Sequence, residues 1–327
     1  MISAVKIFLS VILSVLNIFF SPIFGNFKAP FEPVDPENVK LNFAAISDTH
    51  MTDSVLRSLM LEIGLEGMES SKQPLDALVV AGDLTDHGYL EDYEMLKKTF
   101  AGYNPAKNII LAEGNHDTWT EDDKYDLARE YFIRYNKEIC GRDIDAPYYS
   151  TKINGYSFIV LGSEYDHTDA YFSDAQLEWL AEEMEKASAD GLPIFIISHW
   201  PINESHGLPE TWGDDEPEPD DGGMGDQSDA VEAVLKKYKN VFLISGHIHN
   251  GFSNDATSDF YGFNSVDSDG SFHSINLPSY MYMTIRGRIS NGTGFQFEVY
   301  EDRVEIRARS YSADVWYTDY NYTIPLV

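Results

Sequence analysis

Cysteine is almost missing from this chain. Cys140 is the only one in 327 residues, so no intrachain disulfide can form. No motif surrounds it that would make it a nucleophile, and it reads as a structural thiol. A chain this long can build a core without disulfides, so its thiol count says little about compartment. Cations are scarce as well: 23 Lys and Arg stand against 54 Asp and Glu, a formal charge of -31. That balance argues against a nucleic-acid partner, because like charges repel. A small anionic substrate remains compatible where bound cations dominate the local field. No repeat of solenoid length is visible. With 43% hydrophobic and 13% aromatic residues, the chain has what a globular core requires.

Only one apolar run is long. It covers 7–20, follows Lys6 and stops at Ser21-Pro22, with Gly25 at a plausible cleavage point. This layout reads as a secretory signal peptide over 1–25. The run falls short of the ~20 residues of a comfortable membrane span, and an uncleaved signal anchor is the alternative. The expectation is a secreted or extracytoplasmic protein with no stable membrane partner after cleavage. Residues 26–40, rich in Pro and polar groups, read as a linker, and 41–327 as the folded domain.

Within that domain, apolar runs end in polar motifs. A strand over 41–46 hands over to Asp48-Thr49-His50, and Leu56, Leu59, Met60, Ile63 and Leu65 then recur at helical spacing. A strand over 75–81 ends in Gly82-Asp83-Leu84-Thr85-Asp86. A helix over 88–101 and a strand over 108–112 lead to Gly114-Asn115-His116-Asp117. Residues 122–137 read as helix and 156–161 as strand. Ser173 reads as the N-cap of a further helix, with Gln176 in the capping-box position. A strand over 193–197 delivers Ser198-His199-Trp200-Pro201. After a helix over 231–238, a strand over 241–244 delivers Gly246-His247-Ile248-His249. Strand, motif and helix in alternation predict an α/β fold with its site at the strand C-termini. Farther on, 295–300 and 303–309 alternate around Glu301-Asp302, a hairpin signature. Residues 271–289 are expected to add strands, and 291–327 form a C-terminal β-hairpin extension.

The motif residues offer imidazole nitrogen, carboxylate and amide oxygen, a donor set for divalent or trivalent transition metals such as Fe, Mn or Zn. Alternate positions of an extended strand end face the same side, so Asp48 and His50 are expected to reach one ion, and His247 and His249 likewise. Gly82 permits the tight turn that frees the Asp83 carboxylate to bridge two ions. Asn115 and His199 complete the set. Two ions ~3.5–4 Å apart can clamp a phosphate and activate water.

This ordered series, D-x-H, G-D-x-x-D, G-N-H-D, H and G-H-x-H over residues 48–249, resembles the calcineurin-like metallophosphoesterases. The resemblance implies a four-layer α/β/β/α sandwich with two mixed sheets. It implies one metal held by Asp48, His50 and His249, a second by Asn115, His199 and His247, and Asp83 as the bridge. His116 would stabilise the transition state or protonate the leaving oxygen, with Asn115 assisting charge stabilisation, and Asp117 would orient a neighbour. Asp86 would bond a ligand or cap a turn. The branch resembled is that of cyclic-nucleotide and glycerophosphodiester phosphodiesterases. Purple-acid-like phosphatases place a tyrosine where this chain has Asp86. The protein-phosphatase branch places arginines after two motifs where this chain does not. The function implied is a secreted hydrolase of small phosphodiesters using a metal-activated hydroxide. The alternatives are a broad phosphomonoesterase and a metal-retaining binding protein without catalysis.

Other features carry plainer readings. His87, His167, His206 and His273 read as ordinary loop histidines, with His167 and His206 in segments that could border the site. Trp200, Trp212 and Tyr171 could form an aromatic wall for a base or aglycone, although such residues more often pack. The acidic run 214–221 reads as a solvated loop beside the site. Asn203, Asn291 and Asn321 head glycosylation tripeptides.

Overall fold

The computed structural model describes residues 32–119, 125–164, 170–207, 223–255, 263–268, 270–281 and 291–327. Chain order begins with β1 (Leu41–Ile46), α1 (Val55–Glu69), β2 (Ala77–Ala81), α2 (Leu90–Phe100), β3 (Ile109–Ala112), α3 (Asn115–Thr118) and α4 (Tyr125–Cys140). It continues with β4 (Tyr149–Ile153), β5 (Tyr156–Val160), α5 (Asp174–Ser188), β6 (Ile194–Ile197), α6 (Ser228–Leu235) and β7 (Val241–Ser245). The short β8 (Asn254–Asp255), β9 (Phe263–Asn264), β10 (Val266–Ser268) and β11 (His273–Asn276) follow. The chain closes with β12 (Thr293–Val299), β13 (Arg303–Ser310), β14 (Val315–Trp316) and β15 (Tyr322–Pro325).

Two mixed sheets result, as the resemblance implied. The first runs β14-β13-β12-β1-β2-β3, with β15 also on β13; the second runs β10-β11-β7-β6-β5-β4. β1, β2 and β3 are parallel, as are β5, β6, β7 and β11, so their C-terminal ends open on one side. The hairpin turns at Glu301-Asp302, and β12 pairs antiparallel with β1 from Leu41↔Val299 to Ala45↔Phe295. The C-terminal strands therefore continue the first sheet outward from β1 and form one of its edges.

Period-two alternation divides β5, β6 and β7 of the second sheet between two cores. Phe195 and Ile197 of β6 face the core between the sheets, while Ile194 and Ile196 face the one under α5 and α6. Both faces are buried, hence the near-continuous apolar runs. Between the sheets, the Phe43 ring stacks on Phe297 at 4.7 Å and meets Phe158 and Phe195 edge-on at 5.2 and 5.0 Å. Each such ring contributes ~1.5–3 kcal/mol by burial.

Ser173 caps α5 as expected, its Oγ accepting from Gln176 N–H at 3.2 Å. Gln176 does not close the capping box. Its amide instead clamps the Gly162 backbone and reaches Glu164, whose carboxylate takes Ser173 N–H. Among the described residues no helix is long and apolar enough to cross a membrane. The signal-peptide run 1–25, His167, Trp212 and the acidic run 214–221 lie outside the described residues.

Candidate metal centre

The motif turns meet where the open ends of the two sheets come together. β1, β2 and β3 deliver Asp48 and His50, Asp83, and Asn115; β6 and β7 deliver His199, His247 and His249. One cluster gathers Asp48, His50, Asp83 and His249, whose ligand-capable atoms lie within 4.8 Å of one another. In it, His249 Nε2 is 3.1 Å from Asp48 Oδ1 and His50 Nε2 is 3.3 Å from Asp83 Oδ2. In the adjoining cluster, His199 Nε2 is 3.2 Å from both Asp83 Oδ1 and Asn115 Oδ1, and His247 Nδ1 is 3.0 Å from Asn115 Oδ1. Asp83 turns one oxygen toward each. His247 and His249 thus serve different clusters, contrary to the expectation from strand alternation.

The reason lies in the backbone. β1 ends at Ile46 and β7 at Ser245, and the pairs Asp48/His50 and His247/His249 lie beyond them. Asp48, His50, Asp83, His247 and His249 all adopt left-handed φ, from 41° to 73°. Such conformations cost ~1–3 kcal/mol each and persist where the surroundings fix them. Gly82 has φ 85°, and a Cβ there would run into the His199 ring. At Gly114 it would run into Asp83, so both glycines are set by close approach as well as by turning.

Neighbouring groups aim the rings. His199 Nδ1–H donates to the Ala81 carbonyl at 2.8 Å, which leaves Nε2 for the cluster. His50 Nδ1 pairs with Asp86 Oδ1 at 3.0 Å, and Arg57 holds the other Asp86 oxygen at 2.8 Å. Asp86 therefore orients a ligand-bearing ring rather than capping a turn. His116 Nδ1–H donates to the Asp86 carbonyl at 2.7 Å, and its ring packs edge-to-face on His50 at 4.6 Å. Asp117 is buried and fully engaged. Its Oδ2 accepts from Leu84 and Gly114 N–H at 3.0 and 2.8 Å, and its Oδ1 from Thr85 N–H and hydroxyl at 2.9 and 2.8 Å. It ties the β2 turn to the β3 turn, a positioning role and not contact with substrate.

The electrostatics fit cations. Asp48 Oδ2 and Asp83 Oδ2 are buried with no hydrogen-bond partner, a costly state for carboxylate oxygens. Burial opposes protonation of His199 and His249, yet the Asp83 and Asp48 carboxylates raise them to about 9 and about 10. Burial, reinforced by the charged His199, lowers His247 to about 3, and burial lowers His50. Two imidazolium protons thus stand where cation charge would balance the two carboxylates. The donor set of nitrogen and hard oxygen suits two transition-metal ions.

The remaining described histidines and Trp200 pack or pair locally. Trp200 is fully buried in the α5/α6 core, so it forms no substrate wall. His206 is interior, its Nδ1 donating to the Asn264 carbonyl at 2.7 Å and its Nε2 3.1 Å from Ser274 Oγ, a packing role. His87 pairs with Asp92 and stands 3.8 Å from Asp86, and His273 pairs with Ser268. Three residues went unseen. Arg57 sits on a helix face outside every motif. Glu113 is buried beside the third motif with both oxygens unbonded, and burial raises its carboxyl well above the usual range. Trp119 is half exposed and packs edge-to-face on His116 at 5.6 Å. Its place two residues beyond Asp117 was the available signal.

Residues 41–251 match the family described as calcineurin-like phosphoesterase. A probable cyclic nucleotide phosphodiesterase of Rhodococcus erythropolis is 30% identical over 167 residues, 48% of this chain and 51% of the relative. A cAMP/cGMP dual specificity phosphodiesterase of Mycobacterium tuberculosis is 27% identical over 228 residues, 65% of this chain and 62% of the relative. The chain thus spans about half of the first relative's length and under two thirds of the second's. Among solved structures, a dimetal phosphatase from Danio rerio superposes with TM-score 0.57 at 13% identity, covering 89% of this chain and 100% of that one. A purple acid phosphatase from yellow lupin gives 0.60 at 11% identity, covering 87% and 53%. At these identities the likeness is one of fold.

Proposed function

Because the chain belongs to the calcineurin-like phosphoesterase family, we propose that it is a dinuclear metal-dependent phosphodiesterase whose substrates are cyclic nucleotides. The observation that carries the reading is Asp83, buried with one oxygen toward each of two ligand clusters. The two relatives named as cyclic-nucleotide phosphodiesterases supply the substrate class.

Asp48, His50, Asp83 and His249 would hold one ion, and Asp83, Asn115, His199 and His247 the other. Bound there, two cations supply Lewis-acid charge and an activated water at neutral pH. The chain's own contribution is positional. Asp117 locks the turns bearing Asp83 and Asn115 together. Nδ1–H of His116 is committed to the Asp86 carbonyl, so the ring gives a proton to the departing oxygen from Nε2–H only as the imidazolium, and ends neutral. The Asn115 amide adds a dipole for the charge that builds on phosphorus oxygens. The reading extends to location: the signal-peptide layout of 1–25 supports export, and N-terminal sequencing of the mature protein tests it.

The test is steady-state hydrolysis by Mn-loaded protein of 3′,5′-cAMP, bis(p-nitrophenyl) phosphate and p-nitrophenyl phosphate, with a chelator control. Diester turnover abolished by the chelator is expected, and His116→Ala is expected to lower kcat by ~10²–10⁴-fold while two metals stay bound. Faster monoester turnover would make the protein a phosphatase. No turnover with both metals bound would make it a binding protein.

A further inference from the structure

Among the described residues, the exposed large apolar side chains are Val34, Val55, Leu56, Leu90, Trp119, Tyr171 and Val327. Five of these seven stand on segments leaving the C-terminal ends of the parallel strands: Val55 and Leu56 after β1, Leu90 after β2, Trp119 after β3 and Tyr171 after β5. The apolar surface is thus gathered on the side of the metal centre. Of these, Trp119 packs on His116 of the metal centre. It is 50% exposed, and its indole meets the His116 ring at 5.6 Å and 68°. His116 in turn lies 4.6 Å from His50. A tryptophan is seldom left this open, because it offers more apolar area than any other side chain.

We infer that Trp119 is the platform on which the base of a nucleotide substrate stacks, and so sets preference for nucleoside over non-aromatic phosphodiesters. The inference rests on the phosphodiesterase reading above. If His116 serves the leaving oxygen, the group carried by that oxygen lies on the outer side of His116, where the indole is. Stacking needs no positive charge, which suits a chain with a formal charge of -31. It also accepts any base, because each has a π-face. Adenine and guanine cyclic nucleotides are therefore expected to bind with similar strength.

The Mn-loaded full chain, Trp119→Phe and Trp119→Ala are compared on 3′,5′-cAMP and on glycerophosphoethanolamine. Trp119→Ala is expected to raise KM for cAMP by ~10–100-fold with a much smaller change in kcat, and to lower the preference for cAMP by at least ~10-fold. Trp119→Phe is expected to recover most of it, an outcome that lost folding would not give. Equal preference in wild type and Trp119→Ala would overturn the platform, as would wild-type turnover of glycerophosphoethanolamine without turnover of cAMP. If neither diester is cleaved, the phosphodiesterase reading fails separately, and 5′-AMP titration decides the platform. Quenching of tryptophan fluorescence that Trp119→Phe abolishes would uphold it, and quenching that persists, or none, would end it.

Discussion

His50 Nε2 and His249 Nε2 stand 2.9 Å apart, although 199 positions separate them in sequence. One comes from the first sheet and one from the second, so their meeting is a contact between sheets rather than a local motif. Two imidazole nitrogens at that distance need a proton or a cation between them. In the metal-free protein that charge is the proton kept on His249, which burial opposes and Asp48 and Asp83 secure at about 10. Burial keeps His50 on the neutral side.

Metal loading should therefore displace protons. His249 and His199, at about 10 and about 9, are both charged at neutral pH and must lose their protons to serve as ligands. Protons compete with metal, so affinity is expected to climb as pH rises toward 9. Calorimetric Mn titrations in buffers of different ionisation enthalpy should show release of about two protons per protein. A heat independent of buffer would refute the exchange.

Asp86 holds His50 from behind and is itself held by Arg57. Asp86→Ala is expected to weaken metal binding at the His50 cluster by ~10–100-fold while the fold persists. Unchanged affinity in a metal titration would show that the ring needs no such support.

Asp117 satisfies three buried backbone N–H groups and one hydroxyl. Asp117→Ala strands those donors, at ~1–3 kcal/mol for each one left unpaired. Urea unfolding should report a lower midpoint with an unchanged slope. A loss below ~0.5 kcal/mol would mean that water replaces the carboxylate without cost.

Gly114→Ala places a methyl against the Asp83 carboxylate and backbone and the His199 ring. Because Asp83 faces both clusters, the variant is expected to lose both metals while its far-UV circular dichroism stays native. Two metals bound at wild-type affinity would show that the turn can give way.

The order of strands and helices was legible because apolar runs and turn residues carry it locally. The two buried sheets announce themselves in runs such as Phe195-Ile196-Ile197, and the hairpin in the alternation around Glu301-Asp302. Boundaries shifted by a few residues: the third long helix occupies Tyr125–Cys140, where spacing gave 122–137. Trp200 packs, the more frequent of the two roles expected of it, because burial depends on which helix covers a residue, and α5 and α6 cover it.

By itself the sequence determined the donor chemistry of the site: which side chains carry nitrogen and oxygen, and that each follows a strand. How they are shared follows from the geometry of the turns, which local spacing does not encode. His247 and His249 part company because their turn is left-handed at both positions, a conformation that only the packed surroundings hold in place. Glu113 and Trp119 flank the third motif in sequence, whereas Arg57 joined the site through contacts between separate segments. Such contacts follow from how the chain folds back on itself, and no spacing within one segment encodes them.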